Sequence, residues 1–185
     1  MLNILLTGST GHIGSKISNI LEKENVNLFL PTRISKFDEY NLDKIDILIH
    51  AATSWNKESI NYNVNFLKKL LDNLNKKRIK KILILSSASI IKDNNINNDC
   101  LKYGNDYIKS KYLQFVMVSN HYLYNKCHFL FVTMVIDHKD RINQLPLLFK
   151  YGRYLLKGLP KHSFHMIHSE DVAIVCNEIM KMEKP

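Results

Sequence analysis

The chain has 185 residues, 45% hydrophobic and 23% charged, with a formal net charge of +9. That is ordinary for a soluble globular protein and enough for one domain with a sizeable core. No unbroken apolar run is long enough to span a bilayer, and the N-terminus lacks the basic segment and cleavage site of a signal peptide, so no membrane partner and a cytoplasmic location are expected.

Taken in chain order, Asn3 to Thr7 is a short apolar run ended by glycines, a buried strand. His12 to Lys23 carries Ile13, Ile17, Ile20 and Leu21 at helical spacing. Val26 to Leu30 is a second strand, stopped by Pro31, and Ile45 to Ala51 a third. Asn65 to Lys77 sets Phe66, Leu67, Leu70, Leu71 and Leu74 on one helical face. The basic run Lys76-Lys77-Arg78-Ile79-Lys80-Lys81 falls where that helix should end. Cations suit the negative end of a helix dipole, so the run reads as a solvated helix end and no nucleic-acid partner is expected. Ile82 to Leu85 is a strand followed by Ser86-Ser87, Lys92 to Asp99 an Asn-rich loop, and Asp106 to Tyr124 a helix. His128 to Ile136 is another strand, with helices expected at Leu145 to Lys157 and Asp171 to Met182. Apolar strands alternating with helices specify an α/β fold, a doubly wound parallel sheet of the Rossmann type with helices on both faces. Residues 1–185 read as one such domain, with a minimal substrate-side region around 137–170.

The glycines Gly8-x-x-Gly11-x-x-Gly14 lie between the first strand and the first helix, the context in which such spacing binds a dinucleotide. They permit a tight turn, close approach of backbone amides to a pyrophosphate and close packing of helix on strand, while the helix N-terminus favours phosphate. No Gly-Lys-Ser/Thr follows, so this is not a P-loop.

Thr7 to Gly14, Thr-Gly-Ser-Thr-Gly-His-Ile-Gly, resembles the TGxxGxxG loop of extended short-chain dehydrogenases/reductases, the epimerase/dehydratase group acting on nucleotide sugars. Further segments resemble that family in order: Ile49-His50-Ala51-Ala52, Asn63-Val64, Ser86-Ser87-Ala88-Ser89, the YxxSK match Tyr107 to Lys111, and Ile167 to Ala173. The resemblance implies an NAD(P)-dependent oxidoreductase or epimerase whose substrate is a nucleotide-linked sugar. It implies cofactor contacts from Thr7, Gly8, Thr10, Gly11, His12, Ile13, Gly14, Ala51 and Ala52, and places Asn41 and Leu42 beside the adenine. It assigns Tyr107 as general acid/base, Lys111 to lower the Tyr107 pKa and hold the nicotinamide ribose, and Ser87 to orient the substrate oxygen. The four-residue spacing of Tyr107 and Lys111 puts both on one helix face, as that pairing needs. Tyr103 has Tyr107, not a lysine, four residues on, and is set aside as a decoy. A homodimer through exposed helices is implied by the resemblance alone.

An acidic residue ending the second strand would select NAD. None stands there, and Arg33 suits a 2′-phosphate, so NADP is expected in preference to NAD. The chain departs from the family pattern where Ile90-Ile91-Lys92 replaces Val-Tyr-Gly, and where Gln114 stands for a common glutamate. Ala88, where dehydratases carry an acid, argues against dehydration. The family's C-terminal part normally continues further, so a dinucleotide-binding sensor or scaffold without turnover, or a fragment of a longer enzyme, is the competing reading. Cys100, Cys127 and Cys176 show no paired spacing and read as free thiols. His162, His165 and His168 lack the spacing of a helical metal pair, and no metal is expected.

Overall fold

The computed structural model describes residues 1–31, 41–54, 59–136 and 165–182. The chain begins with β1 (Leu2–Thr7), α1 (His12–Leu21), β2 (Val26–Phe29) and, after a single 3-10 turn at Leu42–Lys44, β3 (Ile47–His50). Then come α2 (Ser59–Asp72), β4 (Lys81–Ser87), the short pair β5 (Ile91–Lys92) and β6 (Asn95–Ile96), and α3 (Cys100–Tyr103). The last elements are α4 (Asp106–Ser119), β7 (Cys127–Val132), β8 (Met134–Ile136), β9 (Met166–His168) and α5 (Ser169–Lys181). Five of the strands form one parallel sheet in the order β2-β1-β3-β4-β7.

Alternation along the strands sends side chains to two cores, the arrangement expected for a sheet covered on both faces. Leu5, Leu48, Ile82 and Ile84 pack with Leu67, Leu70 and Leu71 of α2 and Val118 of α4. On the other face Ile4, Leu6, Ile47, Ile49, Leu83 and Leu85 meet Ile17 and Leu21 of α1 and Val172, Ala173 and Cys176 of α5. Chain direction across the sheet reverses at β1, between β2 on one side and β3 on the other. The C-terminal edge at such a switch point is where open α/β sheets bind ligands.

Several element limits differ from the sequence reading, each for a tertiary reason. The second helix starts at Ser59 and ends at Asp72. Its Asn-rich first turns lack an apolar pattern, but Asn63 is anchored by Ser54, whose N–H it accepts at 2.8 Å and whose carbonyl it donates to at 3.0 Å. The basic run 76–81 is therefore not a solvated helix end. Arg78 and Lys80 flank buried Asp46 at 3.3 and 3.8 Å. Lys81, 7% exposed, donates at 2.6 Å to both the Ile179 and Met182 carbonyls at the end of α5. The Asn-rich loop is instead a two-residue hairpin, with Asp93 and Asn94 at φ 51° and 62°, the left-handed pair of a type I′ turn. The fourth helix stops at Ser119, where the Asn120 amide donates to the Val116 carbonyl at 2.8 Å. The expected strand to Ile136 breaks at Thr133: β7 stays in the main sheet, while β8 leaves it to pair in parallel with β9. The helix expected at Leu145 to Lys157 lies outside the described residues. Among the described residues no helix is long and apolar enough to cross a membrane.

Candidate active site

The C-terminal ends of the strands open onto a cavity of about 380 Å³. The β1–α1 loop forms one wall with Thr7, Gly8, Thr10, Gly11, His12, Ile13 and Gly14. Pro31, Ala51, Ala52 and Thr53 continue it from the ends of β2 and β3. Tyr107 and Lys111 close the far end, with Ser86, Val132, Thr133 and Val135. Residues separated by a hundred positions in sequence thus share one concavity because parallel strands all end on the same edge.

The glycine loop has the geometry its spacing promised. Gly8 sits at φ +75°, and a Cβ there would lie 2.7 Å from the Ala52 nitrogen. At Gly14 a Cβ would lie 2.0 Å from the Gly8 carbonyl oxygen, so only glycine lets α1 pack against the turn. Gly11 begins α1 with no side-chain cap, and the first turn contains no acidic residue. A helix N-terminus of that kind, facing a cavity, suits an anion.

At the other end, Asn105 caps α4 by accepting the Ile108 N–H at 2.9 Å, fixing where the helix begins and hence where Tyr107 stands. The Ser87 hydroxyl hydrogen-bonds the Tyr107 phenol and accepts the Ser89 N–H at 3.2 Å. Lys111, 3% exposed, donates to the Leu85 carbonyl at 2.9 Å and stands 5.8 Å from the centre of the Tyr107 ring. Burial pushes the Lys111 ammonium down to about 8. Burial also raises the Tyr107 phenol above its ordinary value, and the Ser87 hydrogen bond opposes that rise.

The structure therefore brings together Thr7, Gly8, Thr10, Gly11, His12, Ile13, Gly14, Ala51, Ala52, Tyr107 and Lys111, with Ser87 bonded to Tyr107 just behind the wall. Asn41 and Leu42 are not in the wall. Asn41 is exposed, and Leu42 opens the 3-10 turn and packs beside the α2–α4 core. Arg33 lies outside the described residues. Of the three histidines, His162 is outside them too, and His168 caps α5 by accepting the Glu170 N–H at 3.3 Å. Sequence reasoning missed the walls Phe66, Thr133 and Val135, and missed Asn63 as a clamp. A polar residue interrupting an apolar strand was the available signal for Thr133.

No family model and no curated protein matches the chain. Solved structures do match it over nearly its whole length. A human epimerase family protein, SDR39U1 isoform 2, solved with NADPH, superposes with a TM-score of 0.74 at 14% identity, covering 98% of this chain and 71% of that one. A short-chain dehydrogenase/reductase superfamily protein from Agrobacterium tumefaciens with bound NAD gives 0.69 at 13%, covering 99% and 74%. A GDP-L-fucose synthetase from Naegleria fowleri bound to NADP gives 0.66 at 21%, covering 100% and 71%. The chain has the Rossmann-type fold of the short-chain dehydrogenases/reductases. Among proteins of that fold, its architecture is similar to that of epimerase-type proteins.

Proposed function

We propose that the chain binds a nicotinamide dinucleotide, NADP(H) in preference to NAD(H), and is an oxidoreductase or epimerase acting on a hydroxyl or carbonyl carbon of a nucleotide-linked sugar. The observation that carries this reading is one cavity with the glycine loop at one end and the Tyr107–Ser87 pair beside Lys111 at the other. The residues fit the cofactor: Gly8 and Gly14 leave the loop backbone bare, and α1 offers an N-terminus with no side-chain cap and no acidic residue in its first turn. Solved proteins of the same fold carry NADPH, NAD and NADP, which supports the class of ligand.

When bound, the nicotinamide ring supplies the two-electron donor or acceptor for the substrate carbon. Tyr107 gives or takes the proton at the substrate oxygen. Ser87 orients that oxygen, since its hydroxyl is already aimed at the phenol. Lys111, held down to about 8, is still cationic at neutral pH, so its charge favours phenolate as the proton leaves. The same ammonium, on the cavity wall, is the group that would hold the ribose hydroxyls.

Calorimetric titration with NADPH and NADH, followed by turnover on a panel of nucleotide-linked keto sugars, tests the reading. Tyr107→Phe is expected to keep dinucleotide affinity and to lose turnover by roughly 10²-fold or more, the usual contribution of a general acid/base. If neither dinucleotide binds, the reading fails. Binding without Tyr107-dependent turnover on the panel overturns the enzyme assignment in favour of a dinucleotide-binding module.

A further inference from the structure

Below the cavity, the interface between the sheet and helices α2 and α4 is polar. Thr7, His50 and Ser86 follow Leu5, Leu48 and Ile84 by two residues each, so their side chains project from the same sheet face. Thr7 and His50 are direct partners across β1 and β3, and His50 is opposite Ile84 on β4. From α4, Lys111 and Gln114 pack onto this row. Lys111 bonds the Leu85 carbonyl, and Gln114 bonds the Asn63 carbonyl of α2 at 3.1 Å. The Phe66 ring of α2 lies 5.8 Å from that of His50. His50 is 0% exposed. Three buried atoms of this layer, His50 Nε2, Ser86 Oγ and Gln114 Oε1, have no hydrogen-bond partner among the described residues. Buried polar atoms are rarely left so, and three in one layer point to a shared occupant.

Donor accounting identifies it. An ammonium has three N–H donors, of which the Leu85 carbonyl takes one, and the residue also lines the cavity. The titratable groups facing Lys111 among the described residues are Tyr107 on its own helix and His50 on β3, and burial alone accounts for its shift, with no carboxylate. The charge is therefore held by neutral acceptors. His50 is kept neutral by burial and by Lys111, which together press it down to about 3, so one ring nitrogen is a donor and the other an acceptor. Thr7 Oγ1, 2.9 Å from His50 Nδ1, also accepts the Ala52 N–H at 3.4 Å.

We propose that His50 is a neutral positioning residue for Lys111: its Nδ1–H donates to Thr7, and its bare Nε2, with Ser86 Oγ and Gln114 Oε1, binds one interior water that takes the inward hydrogen bond of the ammonium. With two donors already on Thr7 Oγ1, the threonine hydroxyl is left to donate into the cavity it lines. One arrangement thus sets both the reach of Lys111 and the polarity of the loop residue before Gly8. Its importance for turnover rests on the function proposed above, but its test needs neither cofactor nor substrate.

The test is NMR of the full chain labelled with ¹⁵N in histidine and lysine. Long-range ring correlations are expected to show His50 protonated at Nδ1 and bare at Nε2, unchanged down to about pH 5 given its depressed pKa. His50→Phe, which keeps a ring but no acceptor, is expected to lower the Lys111 titration by about one unit, and His50→Gln to restore part of it. Lys81, at the opposite end of β4, should not move in either variant. If His50→Phe does not fold, Ser86→Ala and Gln114→Leu read the same shift, in the same direction. An Nε2–H tautomer, or a Lys111 titration indifferent to all these variants, overturns the proposal. Failure of dinucleotide binding with these signals intact would instead refute only the functional reading.

Discussion

Gly14 and Ser87 show how much a single atom decides here. A methyl at Gly14 would overlap the Gly8 carbonyl at 2.0 Å, and backbone cannot yield as a flexible side chain would. Gly14→Ala is expected to displace the start of α1, lowering stability by roughly 1–3 kcal/mol as overpacking does and weakening dinucleotide affinity at least about tenfold. Denaturant melts and calorimetry with NADPH would measure the two effects separately. Ser87 acts on Tyr107 through one hydrogen bond that opposes burial. Removing it in Ser87→Ala should push the phenol further up. The alkaline limb of the turnover profile would then move to higher pH, which a profile of kcat/KM against pH would record.

At the scale of elements, the helices are held where they are by side chains that reach out of other elements. Asn63 ties the start of α2 to Ser54 by two hydrogen bonds, while Gln114 ties α4 to the Asn63 carbonyl. Helix α4 and the loop after β3 are thus connected through α2. Lys81 performs the equivalent task at the end of α5. Lys81→Met keeps the buried stem and removes both bonds to the helix-end carbonyls. Its expected cost is about 1–3 kcal/mol, with faster amide exchange confined to the last turn of α5. Unchanged exchange there would mean that the carbonyls are satisfied without it. The extent of α2 and the role of Lys81 were illegible in sequence for one reason: an asparagine or lysine says nothing about which distant carbonyl it will meet.

For the whole molecule, the buried histidine links stability to acidity. His50 titrates at about 3 in the fold against a usual value of 6.5. Between those pH values the unfolded chain binds a proton that the folded one refuses, so stability rises with pH through this window and is lost on acidification. The slope from this group approaches about 1.4 kcal/mol per pH unit in the middle of the window. Melting temperatures taken from pH 6.5 downward should fall, and His50→Asn should flatten that fall. Lys111 is a base depressed in the same way, so the sign is the same: its value of about 8 against 10.5 means that stability also rises with pH between those values, as the unfavourable buried charge is discharged.

The chain's periodicities and punctuation were sufficient for the architecture. Apolar strands between amphipathic helices require a covered parallel sheet, and glycines at Gly8, Gly11 and Gly14 between strand and helix require a close-approach turn. Tyr107 and Lys111 could be paired because a helix repeats every 3.6 residues, a local fact. What the tertiary structure alone decided depends on distance in sequence. It brought Ser87 to Tyr107, split the strand at Thr133, and drew the basic run at 76–81 onto Asp46 and the end of α5. It also sealed His50 against Lys111. Hydrogen bonds and burial are settled between elements, and no local pattern encodes which elements will meet.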